Sequence, residues 1–328
     1  MVRILTRSDV RSLISMDEVI DAVQKAHEDL ALGRADQPER HAARTPGTDA
    51  HLIPMTAALA DGQAGGVKLL ADVPANPARE LPRQQSTIVL VNPENGVCEA
   101  FLDGGAITQF RTAAASAVAT RCLARPDAHV LGLIGAGAQA RSHLTAIAQV
   151  RPIDRVLVWS RTEASARAFR DAVADSGLDI ELAGSPEQVV RGSDVLCTLT
   201  PAATPVVSGR WFGEGLHVNA VGAPPRRDHR EIDSEGIARA RVVVDSLDTA
   251  LAESGAVSIA LEEGAITVDH VRDELGEVLT GAKPGRRDDA QITLFNSVGV
   301  PIQDIATARI LVDRARDKGI GIEISLPE

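Results

Sequence analysis

Two sets of residues in this sequence have the types and spacing to do chemistry. The first is Gly135-Ala136-Gly137-Ala138-Gln139-Ala140, which follows the apolar run Val130–Ile134 and opens a helical pattern from Ala138 to about Val150. A G-x-G-x-x-A spacing between a strand and a helix is the setting in which a dinucleotide pyrophosphate rests on a helix N-terminus. Gly135 allows the tight turn, Gly137 lets the backbone approach the phosphates, and Ala140 keeps helix and strand close. Read alone, the motif is also compatible with a glycine-rich turn in some other α/β sheet. The next strand ends Val158-Trp159-Ser160-Arg161-Thr162, with no carboxylate before Glu163. An acidic residue there would hold a ribose 2′-hydroxyl. Ser160 and Thr162 can instead donate to a 2′-phosphate, and Arg161 can pair with it or stack on adenine. NADP(H) is therefore favoured and NAD(H) possible; the alternative is a solvated arginine at a strand end.

The second set is cationic. Lys68 lies in Gly65-Gly66-Val67-Lys68-Leu69-Leu70. A lysine in an apolar strand is costly to bury unless it meets an anion, and the glycines before it let another group approach. A lysine on the solvent face of an edge strand fits the pattern equally well. Arg111 and Thr112 are read as opening an Ala-rich helix after Asp103-Gly104-Gly105, where side chains and free amides suit a carboxylate; a surface arginine capping the turn is the alternative. Arg40 and Arg44 precede Gly47 on a strand-like segment, and one could complete a carboxylate clamp, although each alone reads as a solvated arginine. Gly215–Ala223 ends a later strand, so Val221, Gly222 and the loop Ala223–Asp228 border the cofactor, as does Thr200 after the strand at Val195–Leu199. His217 lies within a strand and reads as core.

The elements that must position these groups fall into two patterns. Ser15 and Glu18 form a capping-box pattern for a helix with Val19, Val23, Ala26 and Leu30 on one face, ending at Gly33. Strand-like runs follow at His51–Met55, Gly66–Leu70, Ser86–Val91 and Val97–Leu102, the last two joined by a hairpin loop at Asn92–Gly96. Ile107 to Ala124 is helical and stops before Pro126. Strands then alternate with helices: Val130–Ile134, Arg155–Trp159, Ile180–Leu182, Val195–Leu199, Leu216–Val221, Arg241–Val244 and, after a polar stretch, Gln291–Phe295. Alternation predicts a parallel sheet covered on both faces. A last helix spans about Pro301–Lys318. The fold class is α/β: a central doubly wound (Rossmann) domain at 113–300, and an α+β domain for substrate and dimerisation built from 1–112 and 301–328.

Composition narrows the function. A chain of 328 residues has room for two domains. A net charge of −11 disfavours nucleic acid. No run reaches the length of a membrane span, and Met1–Thr6 reads as a first strand and not a signal peptide. The odd number of cysteines, Cys98, Cys122 and Cys197, in apolar contexts reads as small buried hydrophobes in a cytoplasmic protein. The sequence has no tyrosine, which excludes a Tyr/Lys acid–base pair. It has no H-x-x-x-H or C-x-x-C, so no metal site is expected.

Taken together, Gly66-Val67-Lys68, Arg111–Ala114, Gly135–Gln139, His217–Gly222, Arg230–Asp233 and Ile292–Gly299 resemble the ornithine cyclodeaminase/mu-crystallin family, over nearly the whole chain. That resemblance implies a homodimer and a small imino or amino acid substrate. It implies a substrate carboxylate held by Arg40, Lys68 and Arg111, with Gln84 or Gln85 nearby, and Ser297 and Val298 near a nicotinamide. Family cyclodeaminases carry an Asp shortly after the V-G motif, where this chain has Pro224, and a Glu before L-x-P, where it has His51. Asp228 could replace the first only from a displaced position. The expectation is therefore an NAD(P)H-dependent imino-acid reductase, with Lys68 as the catalytic residue and a substrate such as Δ1-pyrroline-2-carboxylate. The alternatives are an alanine-type amino-acid dehydrogenase, a cyclodeaminase, and a non-catalytic NADP-dependent binding protein.

Overall fold

The computed structural model of the chain describes residues 1–60 and 64–325. Its contacts divide it into two compact units, Met1–Arg111 with Val300–Glu328, and Thr112–Gly299.

The first unit is a seven-stranded sheet. Its order is Ile322–Ile324, Val2–Leu5, Cys98–Asp103, Gln84–Val91, Gly65–Asp72, His51–Ala58 and Ala43–Arg44. All neighbours run antiparallel except Val2–Leu5 beside Cys98–Asp103. Helix Pro301–Lys318 packs on its central strands and against helix Met16–Ala31. Val10, Ile88, Leu90, Ile302, Ile305 and Val312 are among the fully enclosed residues of that core. The strand carrying Lys68 has partners on both sides, so the edge-strand alternative is excluded. Antiparallel partners share a face, which places Met55, Lys68 and Ile88 together on the helix-covered side. Leu52 and Leu69 lie on the opposite face, 42% and 44% exposed.

Two local expectations are corrected. Ser15 does not cap Met16–Ala31; its hydroxyl bonds the Asp17 carboxylate, and Glu18 pairs with Arg314. The reciprocal capping box belongs to Thr6 and Asp9, opening a helix at Arg7–Leu13 that sequence reasoning missed. The Ala-rich helix begins at Gly104 and runs to Leu123. Arg111 therefore lies two turns inside it, and the free amides expected beside Arg111 sit at the Gly104 end, where Asp103 accepts from Ala106.

The second unit is an eight-stranded, all-parallel sheet. Its order is Asp273–Glu274, Arg241–Val244, Thr293–Asn296, His217–Ala220, Val195–Thr198, Val130–Ile134, Arg155–Trp159 and Asp179–Leu182. This is the doubly wound arrangement, reversing direction between Val130–Ile134 and Val195–Thr198. His217 is fully buried in its strand, with Nδ1 against Thr293 Oγ1 at 3.0 Å. Of the cysteines only Cys197 is fully buried; Cys98 and Cys122 are half-buried, and all are free thiols. Among the described residues no helix is long and apolar enough to cross a membrane, and no His/Cys/Asp/Glu group could hold a metal ion.

Candidate functional site

In the first unit Lys68 is 1% exposed, and its ammonium meets a carboxylate that sequence reasoning did not single out. Lys68 Nζ donates to Asp304 Oδ1 at 3.0 Å and to Oδ2 at 3.2 Å. Arg111 Nε donates to the same Oδ1 at 3.0 Å, and Arg111 Nη1 to Gln303 Oε1 at 2.9 Å. Asp304 is fully buried in the first turn of Pro301–Lys318, where the helix dipole favours an anion. The approach of this helix explains Gly66. A Cβ there would lie 2.5 Å from Val89 O and 2.9 Å from Ile305 Cδ1.

Arg40 joins the cluster. It lies outside any strand, its Nη1 is 3.7 Å from Met55 Sδ, and its charge acts on Lys68. Burial lowers the Lys68 pKa from 10.5 to about 8; Asp304 opposes that shift, and Arg111 and Arg40 add to it. So Lys68 and Arg111 share one carboxylate, and Arg40 lies near enough for its charge to act on Lys68. Arg44 is exposed on the edge strand. Gln84 and Gln85 are exposed, and Gln84 pairs across from Asp72. Gln84 shares the face of Lys68 but stands four residues along the strand from its partner Ile88, about 14 Å away. Gln85 points to the other face. Thr112 is buried next to Arg111 in sequence, on a helix bearing about 100° away.

In the second unit the expected cofactor residues all follow the C-terminal ends of strands, where open α/β sheets bind ligands. Gly135 has φ 114°, and a Cβ on it would lie 2.8 Å from Leu199 O. A Cβ on Gly222 would collide with the Thr200 amide. These glycines let three loops close together at the point where the strand order reverses. A Cβ on Gly137, in contrast, would enter open space. Gly137 is the N-cap of helix Ala138–Ala148 and offers no side-chain cap, so the first amides of that helix face open space. The residues thus fit a dinucleotide phosphate.

Glu231, which the sequence offered only within a motif, ties these loops together. Its carboxylate accepts from Thr198 Oγ1 at 2.8 Å, Thr200 N at 2.6 Å, Thr200 Oγ1 at 2.7 Å and Gly222 N at 2.7 Å. Burial pushes its pKa up, and these hydrogen bonds oppose the shift. Val221, Pro224, Ser297 and Val298 line one pocket with Ala223 and Asn296. Asp245 fixes the far side of that pocket by accepting from Gly299 N at 2.6 Å and Ser297 Oγ at 3.3 Å. Asp228, on the same loop as Pro224, points into solvent. Its side chain is 82% exposed and bonds His229 Nδ1 at 2.8 Å.

At the end of Arg155–Trp159, Ser160 is half-buried and Arg161 exposed. Thr162 is partly committed elsewhere. Its hydroxyl caps Glu163–Ala172, accepting from Ser165 N at 3.4 Å and lying 2.7 Å from Ser165 Oγ.

Similar proteins align along nearly the full chain. The Δ1-pyrroline-2-carboxylate reductase of Bacillus cereus is 34% identical over 323 residues, covering 98% of this chain and 99% of its own. The solved structure of Thermococcus litoralis Δ1-pyrroline-2-carboxylate reductase, in complex with NADH and L-proline, superposes with a TM-score of 0.93 at 38% identity, covering 98% of this chain and 100% of its own. An archaeal alanine dehydrogenase dimer with bound NAD has a TM-score of 0.93 at 36% identity and 99% coverage of both chains. The family model for ornithine cyclodeaminase/mu-crystallin matches residues 2–319, and the chain belongs to that family.

Proposed function

We propose that this chain is an NAD(P)H-dependent imino-acid reductase, acting on a small imino acid such as Δ1-pyrroline-2-carboxylate. The observation that carries this reading is that Lys68 and Arg111, both buried, share the single buried carboxylate of Asp304, with the Arg40 charge acting on Lys68. Buried charge is stable only when paired, and for the two buried cations that share Asp304 a substrate carboxylate supplies the second anion. A bound reduced nicotinamide supplies the hydride. Arg111 and Arg40 then hold the carboxylate, while Lys68 holds it too and keeps a proton at Nζ. The imine carbon gains the hydride and the nitrogen gains a proton, so C=N becomes CH–NH.

Pro224 and His51 stand where the family's cyclodeaminases carry carboxylates, and Asp228 is displaced along its loop and exposed, which favours reduction over cyclodeamination. The alanine dehydrogenase relative supports a second reading, the same hydride step with a 2-oxo acid and free ammonia. For the cofactor, the absence of a carboxylate beside Arg161 supports NADP(H), with NAD(H) usable. Exposed Leu52 and Leu69 on one sheet face, together with the dimeric relative, support a homodimer through the first unit. Unpaired cysteines support a cytoplasmic protein.

The test is NADPH and NADH oxidation with Δ1-pyrroline-2-carboxylate, with its six-membered homologue, and with pyruvate plus ammonia or methylamine. Turnover of the cyclic imines without added amine supports the reductase. Turnover only with free ammonia assigns the dehydrogenase, and no turnover with tight ligand binding assigns the non-catalytic reading.

A further inference from the structure

We infer that Asp304 is the positioning residue of this site, holding Lys68 and Arg111 so that their unused donors face the substrate carboxylate. This rests on the reading of the cluster as the carboxylate-binding part of a reductase. Both cations meet one oxygen, Oδ1, at 3.0 Å each, which fixes Nζ and the guanidinium as neighbours. Gln303, the preceding residue of the same helix, takes Arg111 Nη1. That bond sets the amide orientation, so Gln303 Nε2 donates to His27 Nε2 at 3.0 Å. His27 must accept there and carry its proton on Nδ1. Burial, aided by the Arg111 charge, lowers the His27 pKa from 6.5 to about 4, so this neutral tautomer persists at physiological pH. The chain His27–Gln303–Arg111–Asp304–Lys68 thus consumes Nε and Nη1 of Arg111 and leaves Nη2. It consumes up to two of the three Nζ protons and leaves the rest for a ligand. Outer groups of this kind orient the groups that touch ligand.

The charged groups that face Lys68 are Asp304, Arg111 and Arg40. Of these only Asp304 favours the ammonium, so its loss must lower the Lys68 pKa below about 8. The test compares wild type with Asp304→Asn and Asp304→Glu. The readouts are KM and kcat for the imino acid, the pH profile of kcat/KM, the affinity for reduced cofactor, and calorimetric binding of pyrrole-2-carboxylate as an unreactive carboxylate probe. Asp304→Asn is expected to move the basic limb of the profile to lower pH and to raise KM on the order of tenfold or more, with cofactor affinity unchanged. Asp304→Glu keeps the charge and displaces it. It is expected to leave the basic limb in place while raising KM and weakening the probe, and it decides the matter if Asp304→Asn does not fold. A folded Asp304→Glu enzyme with wild-type KM and wild-type probe affinity overturns the inference, as does an Asp304→Asn enzyme with an unmoved limb. If the wild type turns over no imino or oxo acid, the reductase reading fails on its own account. The probe-binding comparison then still decides the role of Asp304.

Discussion

Replacing Lys68 by Met removes the ammonium and keeps most of the stem, so it isolates the charge. The structure indicates that the variant folds. Asp304 keeps Arg111 Nε at 3.0 Å, so its carboxylate is not stranded. The drop of the Lys68 pKa from 10.5 to about 8 means that the fold disfavours the charged form by about 3 kcal/mol, on the order of what the substitution relieves. The kinetic cost is larger. Removing one partner of a charged hydrogen bond to a desolvated anion costs about 2–5 kcal/mol. At about 1.4 kcal/mol per tenfold, that is roughly 30- to 4,000-fold in kcat/KM. Cofactor affinity should stay at the wild-type value, because the dinucleotide residues at Gly135–Gln139 share no hydrogen bond with Lys68. Lys68→Arg restores the charge with altered geometry and should recover part of the loss. The wild-type profile of kcat/KM should fall on its basic side near pH 8, as the ammonium is lost, and Lys68→Arg should remove that limb. The assay is steady-state oxidation of reduced cofactor with the best imino acid, beside a fluorescence titration of the cofactor. Near-wild-type turnover by Lys68→Met would refute the reasoning, because the ammonium would then serve only to hold Asp304.

Acid should destabilise the fold. His27, His143 and His217 are fully buried with pKa values lowered from 6.5 to about 4, about 4 and about 3, burial being the main cause. The unfolded chain binds protons there that the folded chain refuses, so stability is whole above pH 6.5 and is lost as pH falls toward 4, with a limiting slope of about 4 kcal/mol per pH unit for three groups. A calorimetric Tm that stays flat over that window contradicts it. For the cofactor, NADPH should bind several-fold tighter than NADH, and Arg161→Asp should narrow or reverse the ratio; equal affinities in titration sink this claim. Light scattering should give twice the 34.5 kDa chain mass, and Leu52→Asp with Leu69→Asp should halve it. A wild-type monomer at micromolar concentration rules out the dimer.

The second unit was largely legible from the sequence because its signals are local. An apolar run bounded by turn residues defines a buried parallel strand, and Val130–Ile134, Arg155–Trp159 and Arg241–Val244 fall where that pattern puts them. Pro301 and the apolar stripe behind it likewise define Pro301–Lys318. Errors gathered where several side chains compete for one amide. Ser15 and Glu18 satisfy the capping-box spacing, yet Asp17 and Arg314 outbid the backbone for them. Gly104-Gly105 reads as a loop, which puts Arg111 at a helix start, although both glycines are helical.

The site itself was half legible, and the division follows chemistry. The motifs exposed the hydrogen-bond donors: Lys68, Arg111, Thr200, Gly222 and Ser297. Their acceptors are the buried carboxylates Asp304, Glu231 and Asp245. Lys68, Gly222 and Ser297 stand at or near a glycine, which marks a close approach. A carboxylate on a helix carries no such mark; Asp304 looks like any acid in a first helical turn, and its partners lie 236 and 193 residues away. Those long separations are paid only when the whole fold assembles. Asp304 leaves Lys68 and Arg111 with spare donor protons, whereas Glu231 and Asp245 take the single protons of Thr200, Gly222 and Ser297 and fix the loops that carry them, so preorganisation of this site is a property of tertiary structure. It follows that substitutions at these acids should alter KM, cofactor affinity and pH dependence differently. Asp304 should act on the imino acid, while Glu231 and Asp245 should act on the nicotinamide cofactor through Thr200, Gly222 and Ser297.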